Sequence, residues 1–194
     1  VRQFPGERAT IDSSSSGGYD AVSITGAYTW FWGFEIASSD TKRVSAESGS
    51  WPQDLRRGYG AVSIAPGTKF INMIVHDNAN GLGLWTQSVD GEAYGNVIYN
   101  NGWQAPDRAH AHGVYTQNAG GSRPVARHNI FNQFSHAIHA YASDAAALDN
   151  ITLDGNIAFM NGALGTGGMY ANGRDILLGG YRVASNPVLS YKST

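Results

Sequence analysis

Asp107, Arg108, His110, His112 and Tyr115 fall within nine residues of one another, and His136 and His139 follow one repeat later. Side chains of these types can move a proton next to a carboxylate. An arginine offsets a substrate carboxylate, so that the neighbouring carbon-bound proton becomes acidic. An imidazole, whose pKa lies near neutrality, removes it, and a phenol or second acid protonates the leaving oxygen or the opposite face. Arg108, one of the histidines and Tyr115 are the candidates for those three roles, with Asp107 and His136 beside them. Five of the six histidines lie between positions 110 and 139, which makes this stretch the chemical centre of the chain.

The same residues admit other uses. His110 and His112, two apart on a strand, can point to one side, and His136 can complete a three-histidine set for a divalent metal. Calcium is the other cation to weigh, although no dedicated ligand set is evident, and none of these residues is assigned to a metal. Arg108 can also spend its charge on Asp107, and histidines at turn corners can serve as caps. Glycoside hydrolysis needs two carboxylates about 5 to 10 Å apart, for which Asp77, Asp90, Glu92 and Asp107 are the candidates.

The elements that must position these groups are short strands in a repeat. Asn72-Met-Ile-Val-His-Asp77, Asn96-Val-Ile-Tyr-Asn-Asn101, His128-Asn-Ile-Phe-Asn-Gln133 and Asn156-Ile-Ala-Phe-Met-Asn161 align without gaps, with starts 24, 32 and 28 residues apart. A second run follows the first three: Gly83-Leu-Trp-Thr-Gln-Ser88, Gly113-Val-Tyr-Thr-Gln-Asn118 and Ala137-Ile-His-Ala-Tyr-Ala142. A fainter copy upstream sets Ala21-Val-Ser-Ile24 against Ala61-Val-Ser-Ile64. These runs are rich in β-branched and aromatic residues and are bounded by Gly, Asn, Asp and Ser, which is strand and turn chemistry. Repetition at this period, with an amide at the same corner each time, predicts a parallel β-helix and not an antiparallel sandwich.

Alternation along a strand then predicts two ladders. Leu84, Val114 and Ile138 point inward; Trp85, Tyr115 and His139 point outward, with Gln87, Gln117 and Tyr141 in the next column. An aromatic column beside amides suits a sugar, whose faces stack on rings and whose hydroxyls bond amides. Asp77 reads as an acid substituted into the amide ladder and joins the substrate-binding candidates. The insertion Trp103-Gln-Ala-Pro-Asp-Arg-Ala-His110 overhangs the column as one wall of a cleft. The charge-dense insertion from 38 to 57 is either a second wall or a mobile flap.

Gly-Asn-Val-Ile-Tyr-Asn-Asn-Gly (95 to 102), Gly-Asn-Ile-Ala-Phe-Met-Asn-Gly (155 to 162) and His-Gly-Val-Tyr-Thr-Gln-Asn (112 to 118) resemble the right-handed parallel β-helix superfamily, which includes pectate-lyase-like and alginate-lyase-like enzymes, polygalacturonases and mannuronan epimerases. The resemblance runs from about Ile11 to about Gly180. It implies one all-β domain over 1–194, a right-handed solenoid of about five to six coils, and a bacterial, secreted or periplasmic protein acting on an acidic poly- or oligosaccharide by lyase or epimerase chemistry. A carboxylate-pair hydrolase is the enzymatic alternative, and a non-catalytic glycan-binding solenoid using Trp85, Tyr115 and His139 is the alternative of another class. The resemblance stops short of the base and acidic calcium ligands of the pectate-lyase-like members: the lysines are Lys42, Lys69 and Lys192 alone.

Composition removes other classes. Thirteen basic and fifteen acidic residues in 194 give a formal charge of -2, without the basic stripe that nucleic acid demands. No apolar run approaches the ~20 residues of a spanning helix. Cysteine is absent, so disulfides, thiolate metal sites and thiol nucleophiles are absent too. The opening at Val1 suggests a mature form or an excised fragment. Residues 1 to 12 and 186 to 194 read as parts of coils, truncated at both ends, whose open edges would favour self-association.

Overall fold

The computed structural model describes residues 1–17, 19–117, 121–142, 148, 150–165 and 173–180. The expected further coil at 186 to 194 lies outside the described residues. The architecture is all-β, with three long sheets whose strands are all parallel, consistent with a parallel β-solenoid. The chain visits the sheets in rotation. The first contains Thr10–Asp12, Glu35–Ala37, Ile74–His76, Val97–Tyr99, Asn129–Phe131 and Ile157–Phe159. The second contains Val22–Ile24, Ala61–Ser63, Leu82–Leu84, His112–Thr116, His136–Ala142 and Ile176–Gly180. The third contains Trp30–Trp32, Lys69–Ile71, Glu92–Tyr94, Arg123–Ala126 and Ile151–Asp154.

Most of these strands are three residues long, so each sends only one or two side chains inward, and stacking must make the core. Ile36, Val75, Ile98 and Ile130 are in register on the first sheet, and all are fully buried. Leu82, Val114 and Ile138 do the same on the second, and Phe70, Ala93 and Val125 on the third. Each burial stabilises by roughly 1.5–3 kcal/mol for the larger aliphatic side chains.

Amides close the corners. Asn78, Asn101, Gln133 and Asn161 form a ladder in which each backbone N–H donates to the next residue's side-chain oxygen, at 3.0, 3.1 and 3.3 Å. Asp77 is therefore not the ladder member that the alignment makes it. It sits one residue earlier, beside Asn100, with φ near 60°. The reason is electrostatic: Asn78 is fully buried, and a carboxylate there would lose its hydration without a cation. A second ladder runs through Asn96, His128 and Asn156, where the His128 N–H donates to Asn156 Oδ1 at 3.2 Å and its Nε2 donates to the Ala93 carbonyl at 2.8 Å. His128 is thus a wall residue whose pKa burial lowers to about 4.

The second sheet also departs from the aligned register. Leu82, not Leu84, pairs with Val114, and Leu84 pairs with Thr116, a slip of two that keeps the faces and moves Trp85 along the strand from Tyr115 to the level of Gln117. Close packing decides it. A Cβ on Gly81 would lie 2.3 Å from the Gly113 carbonyl oxygen, so Gly81 and not Gly83 must be the glycine that meets Gly113. Upstream, Ala61 pairs with Val22 and not with Ala21, a slip of one.

Candidate functional site

The outer face of the second sheet carries a cleft of about 810 Å³. Its floor is built from two columns fixed by strand register. One is the position that enters each strand: Tyr59, Asn80, His112, His136 and Arg174, of which His112 and His136 are direct partners. The other holds Tyr115 and His139, also direct partners, with Trp85 and Tyr141 beyond.

Two insertions make the walls. Trp103–Gln104 and Ala109–His110 pair as an antiparallel hairpin, closed by a bond from the Ala105 N–H to the Arg108 carbonyl at 2.9 Å. The 38 to 57 segment is a wall and not a flap. The Ser45 N–H donates to the Gln104 carbonyl and the Gln104 N–H to the Arg43 carbonyl, both at 2.9 Å. Arg57, buried beneath it, donates to the carbonyls of Asp40, Lys42 and Asp77. Ser50 and Trp51 from this segment line the cleft, and Trp51 is 76% exposed there.

Between hairpin and floor stands Ala111 at φ 108°, a conformation costly for any residue with a Cβ. This bend separates His110 from His112, which therefore do not share one strand face. The His110 ring stacks on Trp103, with centroids 4.9 Å apart and planes within 5°. Its Nε2 donates to Asp107 Oδ1 at 3.2 Å, which leaves Nδ1 as the unprotonated nitrogen of the neutral ring. Asp107 also receives the Gly49 N–H at 3.2 Å and Arg108 Nη1 at 2.7 Å. Burial pushes the Asp107 carboxyl up, but the bonds from His110 and Gly49 and the Arg108 charge outweigh it and hold it below the usual carboxylate range. Burial lowers the His110 pKa, partly offset by Asp107.

The other three histidines meet on the floor. His112 and His136 stack in parallel, 5.5 Å between centroids, and His139 meets the edge of His112 at 4.4 Å. His139 Nδ1 and His112 Nε2 are 3.1 Å apart. The Arg174 backbone N–H donates to His136 Nδ1 at 3.1 Å, so neutral His136 carries its proton on Nε2. Burial, together with repulsion from neighbouring cations, lowers His136 and His139 to about 4 and His112 well below its ordinary value. Burial likewise raises the Tyr115 phenol.

Of the sequence candidates, Trp85, Trp103, Arg108, His110, His112, Tyr115, His136, His139 and Tyr141 line the cleft, and Asp107 stands directly behind His110. Three do not line it. Gln87 is exposed elsewhere; Gln117 Nε2 donates to the Tyr115 hydroxyl at 3.4 Å without reaching the cleft; Asp77 lies against Arg43, His76 and Asn100. Asp90 receives the Ser122 N–H and Glu92 pairs with Lys69, so the carboxylates weighed for hydrolysis are scattered. The sequence reading missed Ser50, Trp51, Tyr59, Asn80 and Arg174. A signal for two of them exists: Tyr59 and Asn80 each precede a glycine, as His112 precedes Gly113, but the slipped register hid it. Among the described residues no group of three or more His, Asp or Glu side chains is arranged to hold a metal ion, and the alternative set of His110, His112 and His136 does not assemble.

Fold and site together define an all-β chain of parallel sheets with a cationic, aromatic cleft on the outer face of one sheet. Neither a family model, a curated protein nor a solved structure matches the chain.

Proposed function

We propose that the chain is a carbohydrate-active protein whose cleft binds an acidic poly- or oligosaccharide and acts on it by β-elimination or C5 epimerisation. One observation carries this: among the described residues that line the cleft, the charged side chains are Arg108 and Arg174, the others include four histidines and six tryptophan or tyrosine rings, and no carboxylate is present. Such a lining attracts a sugar acid and offers it stacking surfaces, while the paired acids of a glycosidase are missing.

In this reading Arg108 or Arg174 neutralises the sugar carboxylate. His110 is the base, its Nδ1 lone pair presented because Asp107 holds the proton on Nε2. Tyr115 or the Nε2–H of His136 supplies the proton to the leaving oxygen or to the far face. Trp51 and Trp85 seat the rings of the polymer. The fold belongs to the same reading: a right-handed parallel β-helix of five to six coils, pectate-lyase-like and acting outside the cytoplasm.

A non-catalytic glycan-binding solenoid is the second reading, favoured by the exposure of Trp51 at the cleft mouth. Product analysis on a panel of polyuronates separates them. Ultraviolet absorbance of unsaturated uronates establishes elimination, and deuterium entering C5 from D₂O establishes epimerisation. Reducing ends without absorbance would overturn the reading in favour of hydrolysis, and binding without any product would leave the glycan-binding module.

A further inference from the structure

We propose that the cleft is charged at one end only: Arg174 takes the substrate's carboxylate, and the end lined by Tyr59 and Trp85 takes an uncharged sugar ring, so that the responsive polymer is one in which uronates are interspersed with neutral sugars. The inference rests on the acidic-polysaccharide reading above and names the substrate class within it.

Strand register sets the two ends apart. The position that enters each strand of the second sheet is held in turn by Tyr59, Asn80, His112, His136 and Arg174. Backbone bonds tie the row together: the Gly60 N–H donates to the Asn80 carbonyl at 2.8 Å, the Gly81 N–H to the His112 carbonyl at 2.9 Å and the Ala137 N–H to the Arg174 carbonyl at 3.1 Å, while His112 and His136 are direct partners. With neighbouring strands about 4.8 Å apart the row is about 19 Å long, enough to seat several sugar rings. Tyr59 and Arg174 stand at its opposite ends.

Positive charge is unevenly spent along this row. Arg108 donates from Nη1 to Asp107 at 2.7 Å and from Nη2 to Ser50 at 3.0 Å, so its charge is offset within the wall. The floor histidines are neutral at pH 7, because burial lowers His136 and His139 to about 4 and His112 well below its ordinary value. Arg174 differs from both. Its backbone is fixed by the bond from its N–H to His136 Nδ1 at 3.1 Å, while its side chain is exposed and its guanidinium has no hydrogen-bond or ion-pair partner among the described residues. A carboxylate there can accept a charge-assisted pair of bonds from one guanidinium, and it stands beside His136, one of the proton donors of the proposed reaction.

The other end disfavours a second carboxylate. The Tyr59 and Trp85 rings meet edge to face, with centroids 5.9 Å apart, and Trp85 lies 5.0 Å from Tyr115. Among the described residues, the coils that carry Tyr59 and Trp85 send no cation to the cleft. The charge felt here is negative: burial and then the Asp20 carboxylate raise the Tyr59 phenol above its ordinary value. A carboxylate brought against these rings would lose hydration with no cation to replace it, whereas a neutral pyranose offers them its C–H face.

Titration calorimetry of the intact chain at pH 7 tests this with three linear tetrasaccharides: one that alternates glucuronate with N-acetylglucosamine, tetragalacturonate, and neutral cellotetraose. The alternating compound should bind about tenfold more tightly than either of the others. Arg174→Gln, a change at an exposed side chain, should bring the alternating compound down to the level of cellotetraose without altering the melting temperature. Arg8→Gln, which removes the same charge from the outer face of the first sheet, should keep the advantage. Tetragalacturonate binding as tightly as the alternating compound overturns the one-ended cleft, and so does an advantage that survives Arg174→Gln or vanishes equally with Arg8→Gln. Cellotetraose binding most tightly of the three, or no binding by any of them, overturns the acidic-polysaccharide reading itself and the inference with it.

Discussion

The first and second sheets both carry histidine and aromatic rings on their outer faces, and the two faces put them to opposite use. On the first sheet His76, Tyr99, Phe131 and Phe159 stack as a ladder, with neighbouring planes within 7°, 11° and 6° of parallel. Their faces are spent on one another. His76 Nδ1 lies 2.6 Å from Asp77 and its Nε2 3.2 Å from Glu35, so both nitrogens carry protons and the Asp77 bond raises the pKa. On the second sheet His112 and His136 stack in parallel, but the other ring pairs are tilted or edge-on, at 52° for Trp85 with Tyr115 and 75° for Tyr115 with His139, and burial without carboxylates lowers the histidine pKa values. Residue type is the same; the availability of partners separates a face whose rings are spent on one another from one that lines a cleft.

That contrast can be broken most directly at His110, the proposed base. His110→Ala should lower turnover on the responsive polyuronate by about 100- to 1000-fold, while His76→Ala on the opposite face should leave it within about twofold. Equal losses from both would erase the distinction. Next in size is a pH effect. The folded pKa of His128, near 4, lies below its unfolded value near 6.5, so the unfolded chain binds more protons between these limits. Stability is full above pH 6.5 and falls as the pH drops toward 4, by about 3 kcal/mol from this fully enclosed ring. His136 and His139 act in the same sense but face the cleft. His128→Asn, which copies its ladder neighbours Asn96 and Asn156, should flatten that slope in urea unfolding followed from pH 7 to pH 4. A smaller change tests the register on which the cleft depends. Gly81→Ala forces a methyl against the Gly113 backbone and should destabilise by about 2 kcal/mol, whereas Gly83→Ala, where the nearest atom is a Val62 side-chain carbon at 3.0 Å, should be milder. The smallest effect belongs to the structural face. Arg8 is 61% exposed where it pairs with Glu35, and Arg8→Ala should change stability by less than about 0.5 kcal/mol.

Strand chemistry, the repeat and the clustering of Asp107 to Tyr115 were legible because each is written in contiguous residues with a period. The amide corners were legible for the same reason, at Asn101, Gln133 and Asn161. What failed was register where two similar residues compete: Asp77 against Asn78, and Gly81 against Gly83. Pattern matching weighs the two alike. The fold does not, because one position buries its side chain completely and the other lets two backbones touch.

The sequence by itself determined that parallel strands would stack a core, that aromatics and histidines would share one outer face, and that the insertion at 103 to 110 would stand beside them. Only the tertiary structure decided that residues 38 to 57 pair with the hairpin formed there to extend the wall, that Arg174 completes the histidine column, and that His139 rather than His110 meets His112. Those outcomes depend on hydrogen bonds between segments distant in the sequence, such as the Gln104 N–H with the Arg43 carbonyl and the Arg43 guanidinium with the Gly102 carbonyl. They depend too on a single positive φ at Ala111. Local propensity carries no information about either, because the partners that stabilise them exist only once the turns have stacked.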